Sequence, residues 1–156
     1  MKRTDLSKLP CSIARTSNLL GDWWTPLVLR EAFFGTKRFD EFIKRLGIGR
    51  NVLTQRFSRL IDEDIFVRIQ YQDKPPRYEY HLTEKGRALF DVLAAMIRWG
   101  DDWLAEAAGA PIELIDTASG KIIKPMVVDA KTLKPIVQRN IEVRKGPGFP
   151  SNLKPR

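Results

Sequence analysis

The chain has 156 residues, 43% of them hydrophobic, so it is long and apolar enough for one folded domain with a small appendage. Its net charge of +8 favours a polyanionic partner, although charge alone does not distinguish DNA from RNA or from a membrane surface. One cysteine and one histidine exclude a disulfide framework and the usual Cys/His zinc site, and the lack of an apolar leader or of roughly 18 consecutive apolar residues predicts a cytoplasmic protein without a membrane span.

Three helices are predicted before residue 48. Residues 11–20 form a short helix, and residues 21–35 form a more apolar one with Asp22 as its N-cap and Gly35 as its end. In residues 38–47 the apolar side chains recur at helical spacing, the acidic residues occupy the first turn, and a glycine closes the helix.

A fourth helix follows the short sequence Gly-Ile-Gly, and its two faces differ in chemistry. Leu53, Phe57 and Leu60 form an apolar stripe, while the opposite face has no carboxylate before Asp62. Asparagine and glutamine offer the donor and acceptor that match adenine, arginine matches guanine, and serine can serve either. We therefore predict that this face reads DNA, through Arg50, Asn51, Thr54, Gln55, Ser58 and Arg59. The alternative is an ordinary solvated face, but seven basic and only two acidic residues between Lys37 and Arg59 favour contact with phosphate.

The period then changes to the alternation of a β-hairpin, residues 66–83, with the tip Gln-Asp-Lys-Pro-Pro-Arg. Three helices, a helix after a short glycine-containing turn, a hairpin and a further helix are the order of a winged helix-turn-helix. As a wing, the hairpin would place Lys74 and Arg77 along the DNA backbone, together with Lys37 and Arg38 at the third helix. The alternative is a plain turn that contacts nothing.

The last helix and the tail complete the chain. A long fifth helix is predicted over residues 84–108, and it has more apolar surface than one small domain needs. Residues 109–146 alternate weakly and read as a short β-type extension, residues 147–156 are predicted to be disordered, and no internal repeat is evident. The predicted fold class is mainly α (α+β), with residues 1–108 as the main domain.

Several blocks of the sequence resemble the HxlR-type transcriptional regulators, relatives of the MarR group. These blocks are the segment GDWWTPLVLREAFFGTKRFDEF, then LTQRFSRLIDEDIFVR, and then PPRYEYHLTEKG, so the resemblance extends from Cys11 to about Trp103. It implies a winged-helix homodimer that pairs through the N-terminal helix and helix 84–107 and binds a palindromic operator on double-stranded DNA. Repression is the commoner mode in the family, so a repressor is expected.

The chain departs from the family pattern at a few positions. Gly49, Asn51 and Trp23 replace the serine, the basic residue and the lysine that relatives often carry. Longer relatives have cysteine pairs in the tail, whereas this chain has Ser119, Asp129 and Thr132 in the similar frame. We therefore predict no metal, no cofactor, and a tail held by packing alone or partly disordered.

Cys11 matches a cysteine that several family members use to sense oxidants or electrophiles. It precedes a helix and lies one turn before Arg15, as a sensing thiol near a helix N-terminus and a cation would, but the alternative is a small apolar residue at a dimer interface. An oxidant or a small molecule is therefore the effector considered.

Three other functions are weaker interpretations of the same sequence. His81 lies on an alternating strand without a nucleophile or carboxylate at a suggestive spacing, so no catalytic residue and no enzyme is predicted. A winged-helix module that binds protein or RNA through its basic tail would lack a preference for palindromic DNA. A ligand-gated switch could use a cavity between the terminal helices, lined by Trp23, Trp24, Phe33, Phe34, Trp99 and Trp103.

Overall fold

A computed structural model describes residues 5–150. Its elements, in chain order, are α1 (Ser12–Leu20), α2 (Trp24–Phe33), α3 (Phe39–Leu46), α4 (Arg50–Asp62), β1 (Phe66–Gln72), β2 (Arg77–Leu82), α5 (Glu84–Arg87), α6 (Phe90–Trp103), β3 (Leu114–Ile115), β4 (Ile122–Ile123) and a 3₁₀ turn at Gln138–Asn140. This is the predicted winged helix-turn-helix with a short β-type tail. Among the described helices, none is both long and apolar enough to cross a membrane.

The described residues form two compact units. One holds the residues up to Ala88 together with those from Lys145 onward, and the other is Leu89–Arg144. The predicted division into residues 1–108, 109–146 and 147–156 assigns a role to each segment of the chain and stays a prediction. Of the last segment, residues 151–156 lie outside the described residues.

The start of α2 is capped as predicted. The carboxylate of Asp22 accepts hydrogen bonds from the backbone N–H groups of Trp24 and Thr25, at 3.0 and 2.9 Å, and from the hydroxyl of Thr25 at 2.6 Å. These bonds satisfy N–H groups that the helix itself cannot pair. The helix ends at Phe33, just before Gly35 at φ +90°.

The turn between α3 and α4 has only three residues. Gly47 adopts the left-handed conformation at φ 63°, and its N–H donates to the carbonyl of Ile43. Ile48 is buried, and Gly49 is the N-cap residue of α4. The turn thus buries one apolar side chain and joins α3 to α4 over three residues, the short glycine-containing connection that is typical of a helix-turn-helix.

An aromatic cluster joins α3, α4 and the hairpin. The ring of Phe57 packs edge-on against those of Phe42, Phe66 and Tyr80, with centroids 5.1, 5.4 and 4.4 Å away. Burial raises the pKa of the Tyr80 hydroxyl, although Arg68 partly opposes this effect. Because these rings come from three elements, the cluster fixes where α4 lies relative to the hairpin.

The predicted single helix 84–108 is wrong in its continuity and in its end. The structure has α5, a turn at Ala88 and Leu89, and then α6, which ends at Trp103. The first turn is tied to the hairpin, because the hydroxyl of Thr83 accepts from the N–H of Gly86 and donates to the carbonyl of Asp64. At the other end, residues 104–113 are all exposed, so no packing stabilises further helical turns.

Two similar turns organise the tail. In the first, Asp116 accepts from the N–H groups of Ala118 and Ser119, and in the second, Asp129 accepts from those of Lys131 and Thr132. Each turn ends in a left-handed residue, Gly120 or Leu133.

Hydrogen bonds, and not packing alone, therefore hold these turns. The side chain of Ser119 and backbone N–H groups lower the pKa of Asp116. The backbone N–H and side chain of Thr132 do the same for Asp129.

Candidate nucleic-acid interface

The outer face of α4 presents unpaired polar side chains. Leu53, Phe57 and Leu60 are buried, whereas Asn51, Gln55 and Ser58 on the opposite face are exposed. In the part of the chain that the structure describes, these three side chains make no hydrogen bond. Amides and a hydroxyl that are held by a rigid helix yet free of partners can form bonds with the edges of bases.

The start of α4 is arranged by an exposed ion pair. The guanidinium of Arg50 lies 2.7 Å from the carboxylate of Asp40 on α3 and 5.3 Å from the ring centre of Phe39. The hydroxyl of Thr54 donates to the carbonyl of Arg50 at 2.9 Å. Arg50 is therefore accessible to a phosphate, but it would have to exchange a carboxylate for it.

The inner end of the same helix is anchored by two arginines. Arg59, predicted to contact DNA, is half-buried and donates to the backbone carbonyl of Asn18 in the last turn of α1. Arg56 lies 3.0 Å from the carboxylate of Asp22, which caps α2. The sequence predicts a basic surface that includes both arginines. One sequence feature, the predicted N-cap at Asp22, could have pointed to the partner of Arg56.

Residues 37 and 38 run beside the hairpin. The N–H of Tyr80 donates to the carbonyl of Lys37 at 2.8 Å, and Arg38 pairs with Glu79 as an isolated β-bridge. The Arg38 guanidinium lies 3.3 Å from the Glu79 carboxylate and 4.9 Å from the ring centre of Tyr71. Partial desolvation works to raise the pKa of Glu79, but hydrogen bonds from Arg38 and His81 outweigh it and hold that pKa below its ordinary value.

The tip of the hairpin is shaped by two glutamines that the sequence did not single out. Gln70 donates to the carbonyl of Gln72 and the carboxylate of Asp73, and Gln72 donates to the carbonyls of Lys74 and Pro75. Lys74 and Arg77 are both exposed at this tip. On β1, Arg68 lies over the ring of Tyr78 at 4.4 Å and adds a cation that the sequence did not assign.

Cys11 is exposed immediately before α1. The guanidinium of Arg15, one turn later, donates to the carbonyl of Leu9 at 3.1 Å. Among residues 5–150, no group of three or more His, Cys, Asp or Glu side chains lies close enough together to hold a metal ion.

Comparisons with known proteins agree on one family. The profile described as HxlR-like helix-turn-helix matches residues 19–108. The uncharacterized HTH-type transcriptional regulator Rv3095 of Mycobacterium tuberculosis is 39% identical over 142 residues, which cover 91% of this chain and 90% of that protein.

Solved structures give the same result. The chain matches the crystal structure of PA1607, a candidate transcription factor, with a TM-score of 0.83 and 32% identity over 92% of this chain and all of that one. It also matches the reduced form of the redox regulator HypR, with a TM-score of 0.56 and 31% identity over 59% of this chain and 92% of that one.

Proposed function

Because the chain belongs to the HxlR-like helix-turn-helix family and is a DNA-binding transcriptional regulator of the winged-helix type, we propose that it recognises a specific palindromic operator as a homodimer. One observation carries the proposal. The outer face of α4 presents Asn51, Gln55 and Ser58 exposed and unpaired, on a helix whose other face is buried.

The proposed contacts divide by chemistry. Asn51, Gln55 and Ser58 form bonds with base edges in the major groove and supply specificity. A second set consists of charged groups and a hydroxyl at the margins, which contact phosphates and position the protein: Lys37, Arg38, Arg50, Thr54, Lys74 and Arg77. Arg59 acts in a supporting role, because its bond to the carbonyl of Asn18 sets the position of α4 against α1.

The homodimer is proposed to form through α1 and the helix predicted over residues 84–107. On α6, four apolar side chains lie at spacings of four, three and four residues, and all are exposed: Val92, Met96, Trp99 and Trp103. This is the spacing of a seam between two helices. On α1, Ile13 is 78% exposed. A two-fold dimer would then present two α4 helices to half-sites about one helical turn apart, or a multiple of it.

The proposed mode is repression that an oxidant or a small molecule relieves. HypR, to which this chain is similar, is named a redox regulator and has a reduced and an oxidised form. Cys11 is exposed at the start of α1, and Arg59 of α4 donates to the carbonyl of Asn18 near the end of that helix. We expect a change at Cys11 to act on α4 through α1 and this bond. No residue is proposed to be catalytic.

The test is binding to duplex DNA from upstream of the protein's own gene, against scrambled DNA, at physiological salt. We expect a preference of roughly a thousandfold or more for an operator. Gln55→Ala should lower operator affinity about tenfold, the value of one good base contact, and leave binding to scrambled DNA unchanged.

The matched control is Asp62→Asn, at the far end of the same helix, which should leave the preference intact. If a genome-wide DNA selection finds no preferred sequence, the proposal of a sequence-specific regulator is wrong, and the chain is interpreted as a protein- or RNA-binding module instead.

A further inference from the structure

A groove of about 760 Å³ lies between one side of α6 and the tail, entirely within Leu89–Arg144. Small-molecule sites commonly have volumes of roughly 300–1,000 Å³. One wall is the α6 face that contains Ala95, Trp99 and Trp103, and the other includes Met126 and Val128 of the tail.

The apolar surface around this groove is not covered within its own unit. Of residues 89–144, all of which are described, only Leu93 and Ala94 are buried. Trp99 is 59% exposed, Trp103 is 74% exposed and Met126 is 56% exposed. Covering these exposed indole rings and the thioether with an apolar molecule lowers the free energy, because it removes their surface from water.

The charged groups decide which kind of molecule fits. The lining carries two carboxylates, Asp91 and Asp102, and one cation, Arg98. Arg98 lies 3.6 Å from Asp102, so these two charges largely satisfy each other. Asp91 lines the same groove about two turns before Trp99 on α6 and is the carboxylate outside this ion pair. The faces of the indole rings attract cations.

We propose that this groove binds a lipophilic organic cation, a molecule with several aromatic rings and one delocalised positive charge. The cation would lie against Trp99, and Asp91, about two turns earlier on the same helix, would attract its charge. The carboxylate would repel a lipophilic anion of the same shape. A second copy of the chain is the alternative occupant of the groove.

Occupation of the groove has a consequence for regulation that rests on the proposed function. Trp99 and Trp103 line the groove and also belong to the apolar row with Val92 and Met96. A ligand that reorients these indoles would change the surface through which α6 is proposed to pair. The effector would thereby alter operator affinity without touching α4.

The test compares tetraphenylphosphonium with tetraphenylborate, which have the same shape and opposite charge, on the full-length protein. Tryptophan fluorescence and calorimetry should show saturable binding of the cation, at least about tenfold tighter than that of the anion. Asp91→Asn should weaken cation binding about threefold, as expected for one partly exposed charge. Ala95→Trp, which fills the groove, should abolish it.

The control is Glu106→Gln, which removes an equal charge from an exposed position outside the groove and should change nothing. Equal binding of the two probes, or cation binding that survives Ala95→Trp, overturns the proposal. Operator binding of each variant without ligand is measured in parallel. If the native protein binds its operator but not the cation, the groove proposal is refuted and the proposed function stands. If it binds the cation but prefers no operator, only the proposed function is refuted.

Discussion

Two arginines of α4 have half-buried side chains whose guanidinium groups are held by partners in the same chain. Arg56 contacts Asp22, and Arg59 donates to the carbonyl of Asn18. A guanidinium that is fixed in this way orients an element, whereas exposed lysines such as Lys37 and Lys74 contribute salt-sensitive affinity. The net charge of +8 therefore overstates the number of cations that are available to phosphate.

One prediction at this scale concerns Glu79. Arg38→Gln removes the ion pair, so the pKa of Glu79 should rise toward its ordinary value of 4.5. Because the folded pKa is lowered in the native protein, the pair stabilises the fold above 4.5, and this stabilisation is lost as the pH falls through the folded pKa. An NMR titration of the Glu79 carboxyl measures the change, and Lys37→Gln, one residue away, is the control. A pKa that does not move would show that Arg38 is not the cause.

At the scale of elements, two glycines of the predicted helix 84–108 have different surroundings. A side chain on Gly86 would overlap the carbonyl oxygen of Ile65, so α5 can pack against the end of the hairpin only with glycine at this position. Gly100 in α6 has no atom within 4 Å of the place that a Cβ would occupy. The two glycines therefore have opposite consequences for stability.

Gly86→Ala should lower the free energy of unfolding by about 1–3 kcal/mol, because it forces a backbone shift at Ile65. Gly100→Ala is the matched comparison, and it should raise the free energy of unfolding by up to about 1 kcal/mol through helix propensity. Urea denaturation of both variants gives the two values. Equal effects from the two substitutions would contradict the role of the Ile65 contact.

The helix-turn-helix and the hairpin were predictable as elements because their signals are local. The spacing of Phe42, Leu53 and Phe57, the turn at Gly47, and the alternation after Phe66 depend only on neighbours along the chain. The polar face of α4 follows from the same periodicity. The partner of Arg59 could not be predicted, because it is a backbone carbonyl of α1 that nothing local marks, and only the predicted cap at Asp22 pointed to the partner of Arg56.

At the scale of the whole molecule, the uncovered apolar surface of α6 predicts self-association. Met96→Lys would place a charge in the row of Val92, Met96, Trp99 and Trp103, and a symmetric interface would bury it twice. We expect dimerisation to weaken about a hundredfold and operator affinity to fall with it. Sedimentation equilibrium measures the first effect and DNA titration the second.

Thr117→Lys adds the same charge at an exposed position in the tail and is the control. A Met96→Lys protein that remains as dimeric as the native chain would exclude this face of α6 from the interface. Dimerisation that is lost while operator affinity is retained would instead show that one protomer suffices for recognition.

The sequence by itself determined the order of the elements, the winged helix-turn-helix and which face of α4 is polar and exposed. Hydrophobic periodicity and turn residues determine these features because they act over a few residues. Only the tertiary structure decided which cations are held and where the last helix breaks. These features depend on contacts between segments far apart in the chain. Hydrogen-bond partners of that kind leave no period in the sequence.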